Sequence, residues 1–161
     1  MLQVAAAKDG ITGRLARASC GHLPFRSAIF DLAICSFALG HIRDLGSLAL
    51  ELARVTKSAA DIFVSDLHPD AYARGWRVGF RDESSAVEIE MLPRAGDEII
   101  QTFHSKGFEC LTRVPLSLGD PERALFTRAG KAHLFAEACQ SPAVLVCHFK
   151  RLDSIAAGTT S

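Results

Sequence analysis

The sequence lacks an excess of charge of either sign, because its 161 residues carry 18 lysines and arginines against 18 aspartates and glutamates. Nucleic acids and anionic membranes attract strongly basic surfaces, so this balance argues against both as partners. No apolar run approaches the roughly 18 to 20 residues that a membrane span requires. The N-terminal stretch, with Gln3 and Lys8, lacks the apolar core of a signal peptide. We therefore expect a cytosolic protein.

Metal-binding patterns are missing as well. The chain has five cysteines and six histidines but neither a C-x-x-C nor an H-x-x-x-H pair. Two Cys–His pairs lie close in sequence, Cys20 with His22 and Cys147 with His148, but neighbouring residues on a strand point to opposite faces. We predict no metal site. The odd number of cysteines, which lie in or beside apolar runs, is typical of reduced thiols that pack as small hydrophobic side chains.

What the sequence does contain is enough apolar material for one well-packed domain, with a hydrophobic share of 48%. Residues 30–37 are apolar almost without a break, which predicts a strand of a parallel sheet that is covered on both faces. Asp44 follows as the predicted cap of a helix whose apolar side chains recur at helical spacing. These side chains are Leu45, Leu48, Leu52 and Val55.

Other segments alternate between strand and helix patterns. The remaining predicted elements are strands over 15–20, 62–65, 108–114 and 143–149, helices over 1–8 and 96–106, and a helix that starts at Asp120-Pro121-Glu122. Between them, residues 76–80 and 86–91 alternate around a polar turn at 82–85, which predicts a β-hairpin. The hairpin segment holds the single tryptophan, Trp76. Insertions of this kind commonly cover a site and select its substrate.

Four groups of residues carry a family resemblance. They are Leu23-Pro24-Phe25, then Phe30-Asp31-Leu32, then Ser36-Phe37-Ala38-Leu39 with His41-Ile42, then Glu51-Leu52-Ala53-Arg54-Val55 with Lys57. In this order and spacing they resemble the middle of a class I S-adenosylmethionine-dependent methyltransferase of the small-molecule, methyltransferase type 11-like kind. The resemblance covers about residues 1–151 but only the part of that fold that follows its second strand. It implies an N-terminally truncated domain whose Gly-rich cofactor turn and ribose-binding acidic residue would precede Met1.

The resemblance implies an α/β fold with a partial Rossmann-like methyltransferase sheet. The expected sheet has strands four, five, seven and six plus a residual strand three over 15–20, with flanking helices and the hairpin insertion at about 71–93. We expect one partial domain over 1–151 and a disordered tail over 152–161. Without strands one and two, the strand at 30–37 becomes a sheet edge with unpaired backbone groups. We expect this edge to pair with the 15–20 strand, with another copy of the chain, giving a homo-oligomer, or with a separate partner.

S-adenosylmethionine is the cofactor that the resemblance implies. By that resemblance Ser19 stands where an aspartate would bond the adenine, with Cys20 beside it, and Ser36, Phe37 and His41 border the methionine end. Serine offers a hydrogen bond without a charge, and Ser19 could equally do no more than end a strand. Phe37 could face the sulfonium, since aromatic faces attract cations, or simply be part of the core.

Methyl transfer from a sulfonium requires alignment of donor and acceptor and needs a base only for some acceptors. The candidate bases are His41 and His68, and the candidate contacts to a small-molecule acceptor are Asp66, His68 and Trp76. The alternatives are structural: His41 could tie the loop to a helix start, and His68 could cap the turn before Pro69. The altered turn Ser58-Ala59-Ala60, where relatives carry Pro-Gly-Gly, favours a second hypothesis, a non-catalytic interaction or scaffold protein derived from a methyltransferase.

Overall fold

A computed structural model describes residues 2–8, 10–11, 13–81 and 85–153. Four strands form one mixed sheet in the order β1-β2-β6-β5, and two short strands, β3 and β4, form a separate antiparallel hairpin. The strands are β1 (Phe30–Ser36), β2 (Thr56–Leu67), β3 (Gly79–Arg81), β4 (Ala86–Glu88), β5 (Phe108–Ser117) and β6 (Pro142–Arg151). β1 runs parallel to β2, whereas β6 runs antiparallel to both β2 and β5. This order confirms the expected half-sheet of strands four, five, seven and six.

Within the described residues, six helices accompany the strands. They are α1 (Leu2–Ala6), α2 (Leu45–Val55), α3 (Pro69–Ala73), α4 (Gly96–His104), α5 (Asp120–Arg128) and α6 (Phe135–Ala138), with 3₁₀ turns at Leu39–His41 and Ala132–Leu134. Asp44 caps α2 as predicted, because its side chain accepts a hydrogen bond from the Ser47 amide at 2.9 Å. The predicted apolar stripe of α2 is buried against the sheet.

The core lies between one face of the sheet and the helices α2 and α4. Its largest fully buried side chains include Phe103 of α4, Phe108 of β5 and Phe149 of β6. The Phe103 ring stacks on Phe149 at a centroid distance of 4.6 Å and meets Phe108 at 5.5 Å. Aromatic contacts of this kind add to the free energy gained by area burial alone. This cluster holds α4 against β5 and β6.

The structure differs from expectation at residues 15–20, where a residual strand three was predicted. These residues do not join the sheet; Ser19 forms an isolated bridge with His22, whose amide donates to the Ser19 carbonyl at 3.0 Å. Residues 15–19 are exposed to solvent, so their backbone groups do not need a neighbouring strand to be satisfied. Within the described chain, β1 is consequently the edge of the sheet.

The hairpin is confirmed but is shorter than predicted. Trp76 lies before β3, and its amide donates to the Ala71 carbonyl at 3.0 Å, which closes the end of α3. Of its predicted polar turn, residues 82–84 lie outside the described residues, as do residues 154–161 of the predicted tail and positions 1, 9 and 12. Where the tail was predicted to begin, the Leu152 amide donates to the Gly107 carbonyl at 2.9 Å.

β2 begins earlier than predicted, directly after α2. Four residues of β2, 57–60, lie between two paired positions, because Phe30 of β1 pairs with Thr56 and Leu32 pairs with Asp61. Within this irregular stretch Ala59 has a φ of 57°, the left-handed region that favours glycine. The Ser58-Ala59-Ala60 segment therefore adopts a positive φ although it contains no glycine.

Candidate functional site

The carboxyl ends of the parallel strands β1 and β2 lie side by side. The Ser36 and Ser65 hydroxyls, one from each strand, are hydrogen-bonded at 3.0 Å. The Phe37 amide donates to the Ser65 carbonyl at 2.7 Å. Ligands of open α/β sheets bind outside this edge, so the structure brings Ser36 and Phe37 together where the sequence predicts them.

Phe37 is held in a strained conformation at this edge. Its φ is 50°, a left-handed value that costs about 1–3 kcal/mol for a residue other than glycine. The hydrogen bond to Ser65 retains this conformation, and 49% of the side chain stays exposed. Backbone strain of this type concentrates at ligand sites. Phe37 is thus an exposed aromatic side chain at the start of the loop that leads to α2.

The 3₁₀ turn that follows buries two of its residues and exposes the third. Leu39 and Gly40 are buried, whereas His41 is exposed. A Cβ atom at position 40 would collide with the Met91 methyl group, the far end of a flexible side chain, so a larger residue there would require Met91 to shift. His41 therefore presents its imidazole to solvent at the edge of the sheet, close in sequence to Phe37.

Asp66 joins this turn to the end of β2. Its Oδ2 accepts from the Gly40 amide at 2.8 Å and its Oδ1 accepts from the Leu67 amide at 2.7 Å. The side chain is buried, and buried carboxylates need such donors. Both oxygens are thus engaged by backbone groups. The sequence predicts Asp66 as a substrate contact, but no local signal points to Gly40, which lies 26 residues away.

His68 caps α3. Its Nδ1 accepts from the Asp70 amide at 3.2 Å, and Pro69 occupies the start of the helix. Because Nδ1 accepts a hydrogen bond, this geometry fits the neutral tautomer with its proton on Nε2. His68 therefore makes the capping contact that was the structural alternative for this residue. Only its Nε2 is left for another partner.

The remaining predicted site residues are Ser19, Cys20 and Trp76. Ser19 is exposed in its turn, whereas Cys20 is half-buried and packs against the core. Burial raises the pKa of the neighbouring Cys35 thiol to about 11, with smaller contributions from the charges of Asp66 and Cys20. At neutral pH the Cys35 thiol is consequently protonated and unreactive. Trp76 is half-buried next to α3, on the hairpin side of the site.

A segment after the hairpin, residues 91–94, closes over the 3₁₀ turn. The Leu92 amide donates to the Gly40 carbonyl at 2.7 Å. Arg94 donates to the carbonyls of Ile42 and Arg43 at 2.7 and 2.9 Å and to the Glu98 carboxylate at 2.6 Å. The sequence analysis missed Arg94, which precedes the predicted helix and makes its backbone contacts with residues about 50 positions earlier in the chain.

Only a small cavity remains under the 91–94 segment. Its volume is about 10 Å³, and its lining includes Asp66, Tyr72, Met91 and Arg94. This volume accommodates one water molecule. A wider, open groove of about 360 Å³ lies between α5 and α6 and includes none of the predicted site residues in its lining.

None of the described helices is both long and apolar enough to cross a membrane. No group of three or more histidine, cysteine, aspartate or glutamate side chains within 2–8, 10–11, 13–81 and 85–153 is placed to hold a metal ion.

Comparison with known proteins points to one family. Residues 1–64 match a family model described as a methyltransferase domain. An S-adenosylmethionine-dependent methyltransferase from Mesorhizobium loti superposes with a TM-score of 0.60 at 17% identity, covering 84% of this chain and 68% of its own. One from Methanosarcina mazei superposes with a TM-score of 0.62 at 13% identity, covering 94% and 76%. No curated protein matches the sequence.

The fold is also found in an enzyme described as a cyclase. The [4+2]-cyclase SpnF superposes with a TM-score of 0.61 at 15% identity, and the match covers 95% of this chain and 64% of the cyclase. At such identities a likeness shows the fold and leaves the reaction open. The resemblance to class I S-adenosylmethionine-dependent methyltransferases is nevertheless confirmed, in sequence over residues 1–64 and in fold over most of the chain.

Proposed function

We propose that the protein transfers a methyl group from S-adenosylmethionine to a small-molecule acceptor, with one wall of the cofactor site at the carboxyl edge of β1 and β2. One observation carries the proposal: strained, exposed Phe37 stands beside the Ser36–Ser65 hydroxyl pair in a fold shared with methyltransferases. When bound, the cofactor supplies an activated methyl group on a positively charged sulfur. The protein has to align the acceptor with it and exclude water.

The residues at this edge fit the methionine end of the cofactor. An aromatic face such as that of Phe37 attracts a sulfonium cation, and the hydroxyl of Ser36 can donate or accept a hydrogen bond. Ser19 and Cys20, in the adjoining turn, are proposed for the adenine end. The sequence contains no Gly-x-Gly, so the 161 residues supply contacts to one side of the cofactor.

The proposed base is His41. Its imidazole is exposed at the site edge, and histidine is the side chain that most often transfers protons in catalysis. His68 uses Nδ1 for its cap, which leaves its Nε2 proton to contact an acceptor. Asp66 holds the 3₁₀ turn beneath His41 in place, and Trp76 is proposed as an acceptor contact from the hairpin side.

Calorimetric titration of the full chain with S-adenosylmethionine tests the proposal. We expect micromolar binding by the native sequence and at least about tenfold weaker binding by Phe37→Ala, equivalent to about 1.4 kcal/mol. Phe80→Ala is the matched control, because Phe80 of β3 is 57% exposed but lies on the hairpin. Millimolar or absent binding by the folded native chain would overturn the proposal, as would equal losses in the two variants.

A second candidate is a non-catalytic scaffold protein built on the same half-sheet. It is favoured by the closure of the site edge, where Met91 fills the space above Gly40 and both Asp66 oxygens bind backbone amides. A ligand of cofactor size requires a cavity of about 300 Å³ or more, far above the 10 Å³ under the 91–94 segment. A folded chain that binds no S-adenosylmethionine would support this candidate.

A further inference from the structure

We propose that Glu51 and Arg54 of α2 are positioning residues for the adenine side of the cofactor site, because they fix the backbone of residues 19–25 independently of any bound ligand. This inference rests on the proposed function, in which Ser19 and Cys20 of the same segment contact the adenine end. The contacts that carry it join residues 28 to 31 positions apart in the chain.

α2 presents a polar stripe to this segment, beside its buried apolar stripe. Ser47, Glu51 and Arg54 are spaced by four and three residues, so they lie on one face of the helix. A Cβ atom on Gly21 would lie 3.3 Å from the Ser47 Cβ, so the turn touches the start of the helix. Glu51 is buried and Arg54 is half-buried. The polar stripe therefore contacts the turn at one end and the residues that follow the turn at the other.

The Glu51 carboxylate binds the segment through a backbone amide. Its Oε2 accepts a hydrogen bond from the Leu23 amide at 2.7 Å. The same carboxylate binds the Arg54 guanidinium through both oxygens, at 2.7 and 2.8 Å, which is the strong bidentate geometry of an arginine–carboxylate pair. Hydrogen bonds from Arg54 and from the Leu23 amide lower the pKa of Glu51 to about 2. The ion pair is consequently intact at neutral pH.

The Arg54 guanidinium binds the segment through backbone carbonyls. Its Nη2 donates to the Leu23 carbonyl at 2.9 Å, and its Nη1 donates to the Phe25 carbonyl at 2.7 Å. Nε and Nη2 also bind Glu51, so each of the three nitrogens has a partner. Lysine carries its charge on one nitrogen and does not reproduce this fork. One ion pair thus engages both the amide and the carbonyl of Leu23.

Burial of apolar side chains contributes little to holding residues 19–25. The segment contains the Ser19–His22 bridge but no helix or longer strand. Cys20 packs against the core and Leu23 is half-buried, whereas the other side chains of the segment are exposed. Segments with few buried apolar contacts open locally at low cost in free energy. The ion pair supplies the hydrogen bonds that join the segment to α2, and a segment that is already fixed loses less entropy when a ligand binds.

Hydrogen exchange of the ligand-free chain tests the positioning role. In Arg54→Lys we expect the Leu23 amide to exchange at least about tenfold faster than in the native chain, while the amides of α4 keep their native rates. Arg151→Lys is the matched control, because Arg151 also donates to backbone carbonyls, those of Gly107 and Leu152 at 2.8 and 3.0 Å. The control should leave the exchange rate of the Leu23 amide unchanged.

Glu51→Gln is a second variant for the same measurement. Glutamine keeps the length of the side chain and an oxygen that can accept from the Leu23 amide, but it forms no ion pair with Arg54. We expect the Leu23 amide to exchange faster than in the native chain and more slowly than in Arg54→Lys. Native exchange rates at Leu23 in both variants would overturn the proposal.

Titration with S-adenosylmethionine tests the link to the cofactor. We expect Arg54→Lys to bind it about tenfold more weakly than the native chain, because binding must then order the segment. Saturating S-adenosylmethionine should return the exchange of the Leu23 amide in this variant to the native rate, an effect that a purely structural role does not produce. A loosened segment in a variant that binds as tightly as the native chain would contradict the proposal.

The two measurements separate this inference from the proposed function. A native chain that binds no S-adenosylmethionine would overturn the proposed function and the adenine-side role together. Exchange in the ligand-free chain would still show whether Glu51 and Arg54 fix residues 19–25. If the native chain binds the cofactor but the segment is equally ordered in Arg54→Lys, the proposed function stands and the positioning role is wrong.

Discussion

The two faces of the four-stranded sheet differ in what covers them. The covered face packs under α2 and α4, and its side chains include Ala33, Ile62, Val64, Leu145, Cys147 and Phe149. The open face carries Leu32, Ile34, Phe63, Val114 and Leu116, all at least 37% exposed, together with Asp61, His148 and Lys150. No described helix packs over the centre of this open face. The two faces therefore have similar apolar content but unequal burial.

This difference shows that apolar character and burial are separate properties of a strand. Parallel strands are normally apolar on both sides because helices cover both, and most residues of β1 are apolar. The open face also holds polar contacts that the covered face excludes. Asp61 binds His148 at 2.7 Å and Lys150 at 3.0 Å, and His148 stacks on Phe63 at 4.3 Å. Partial exposure to water makes such charged contacts tolerable.

The largest expected effect comes from truncating one phenylalanine on each face. Phe103→Ala should lower the free energy of unfolding by about 3–5 kcal/mol, because a fully buried ring leaves a cavity. Phe63→Ala removes a ring that is 38% exposed, so we expect a loss of less than about 1.5 kcal/mol. Urea denaturation of both variants measures the comparison. Equal losses would show that the open face is covered in solution.

An intermediate effect should appear in acid. Hydrogen bonds from Arg54, and then from the Leu23 amide, lower the pKa of Glu51 on α2 to about 2. Hydrogen bonds from His148 and Lys150 also lower the pKa of Asp61 on the open face. A carboxyl whose pKa is lower in the folded state stabilises the fold above its unfolded pKa. That contribution disappears as the pH falls through the folded pKa.

For Glu51 the stabilisation should therefore decrease from about pH 4.5 to about pH 2. Thermal unfolding midpoints between pH 7 and pH 2 should fall less steeply in Glu51→Gln than in the native chain. Asp61→Asn should change the slope less, since the Asp61 side chain is 36% exposed and the Glu51 side chain is 12% exposed. A larger change in slope in Asp61→Asn than in Glu51→Gln would contradict this prediction.

The smallest effect concerns the irregular start of β2, which belongs to neither face. Ala59→Gly should raise the free energy of unfolding by about 0.5–1 kcal/mol, because relief of the left-handed strain outweighs the added entropy of the unfolded chain. Ala124→Gly, an exposed position within α5, should instead lower it by about 1 kcal/mol. Chemical denaturation of both variants measures whether each substitution raises or lowers the free energy of unfolding. Destabilisation by Ala59→Gly would mean that Ala59 relaxes out of the left-handed region in solution.

Local patterns predicted a large part of the fold. The apolar run at 30–37, the Asp44 cap and the alternation around the hairpin each depend on residues close together in the chain. The 15–20 segment has the same kind of local pattern, but a strand also needs a neighbour to pair with, and none is described there. Without a neighbouring strand, the segment ends in the Ser19–His22 turn.

The candidate site depends more on long-range contacts. The sequence placed Ser36, Phe37, His41, Asp66 and His68 at the ends of adjacent parallel strands, and the structure places them there. It did not reveal that Asp66 binds Gly40, or that Arg94 holds the 91–94 segment over the same turn. These contacts join residues 26 and 52 positions apart, and in each of them the partner of the side chain is a backbone group of the kind that every residue possesses.

The sequence alone thus determined the type and order of the elements and the edge at which polar residues collect, because periodicity and capping are local properties of the chain. Only the tertiary structure decided which face of the sheet is buried and which carboxylates are engaged by backbone amides. The physical reason is that burial and hydrogen-bond pairing depend on what lies across the fold. Apolar residues occur on both faces, so the presence of apolar residues does not report it.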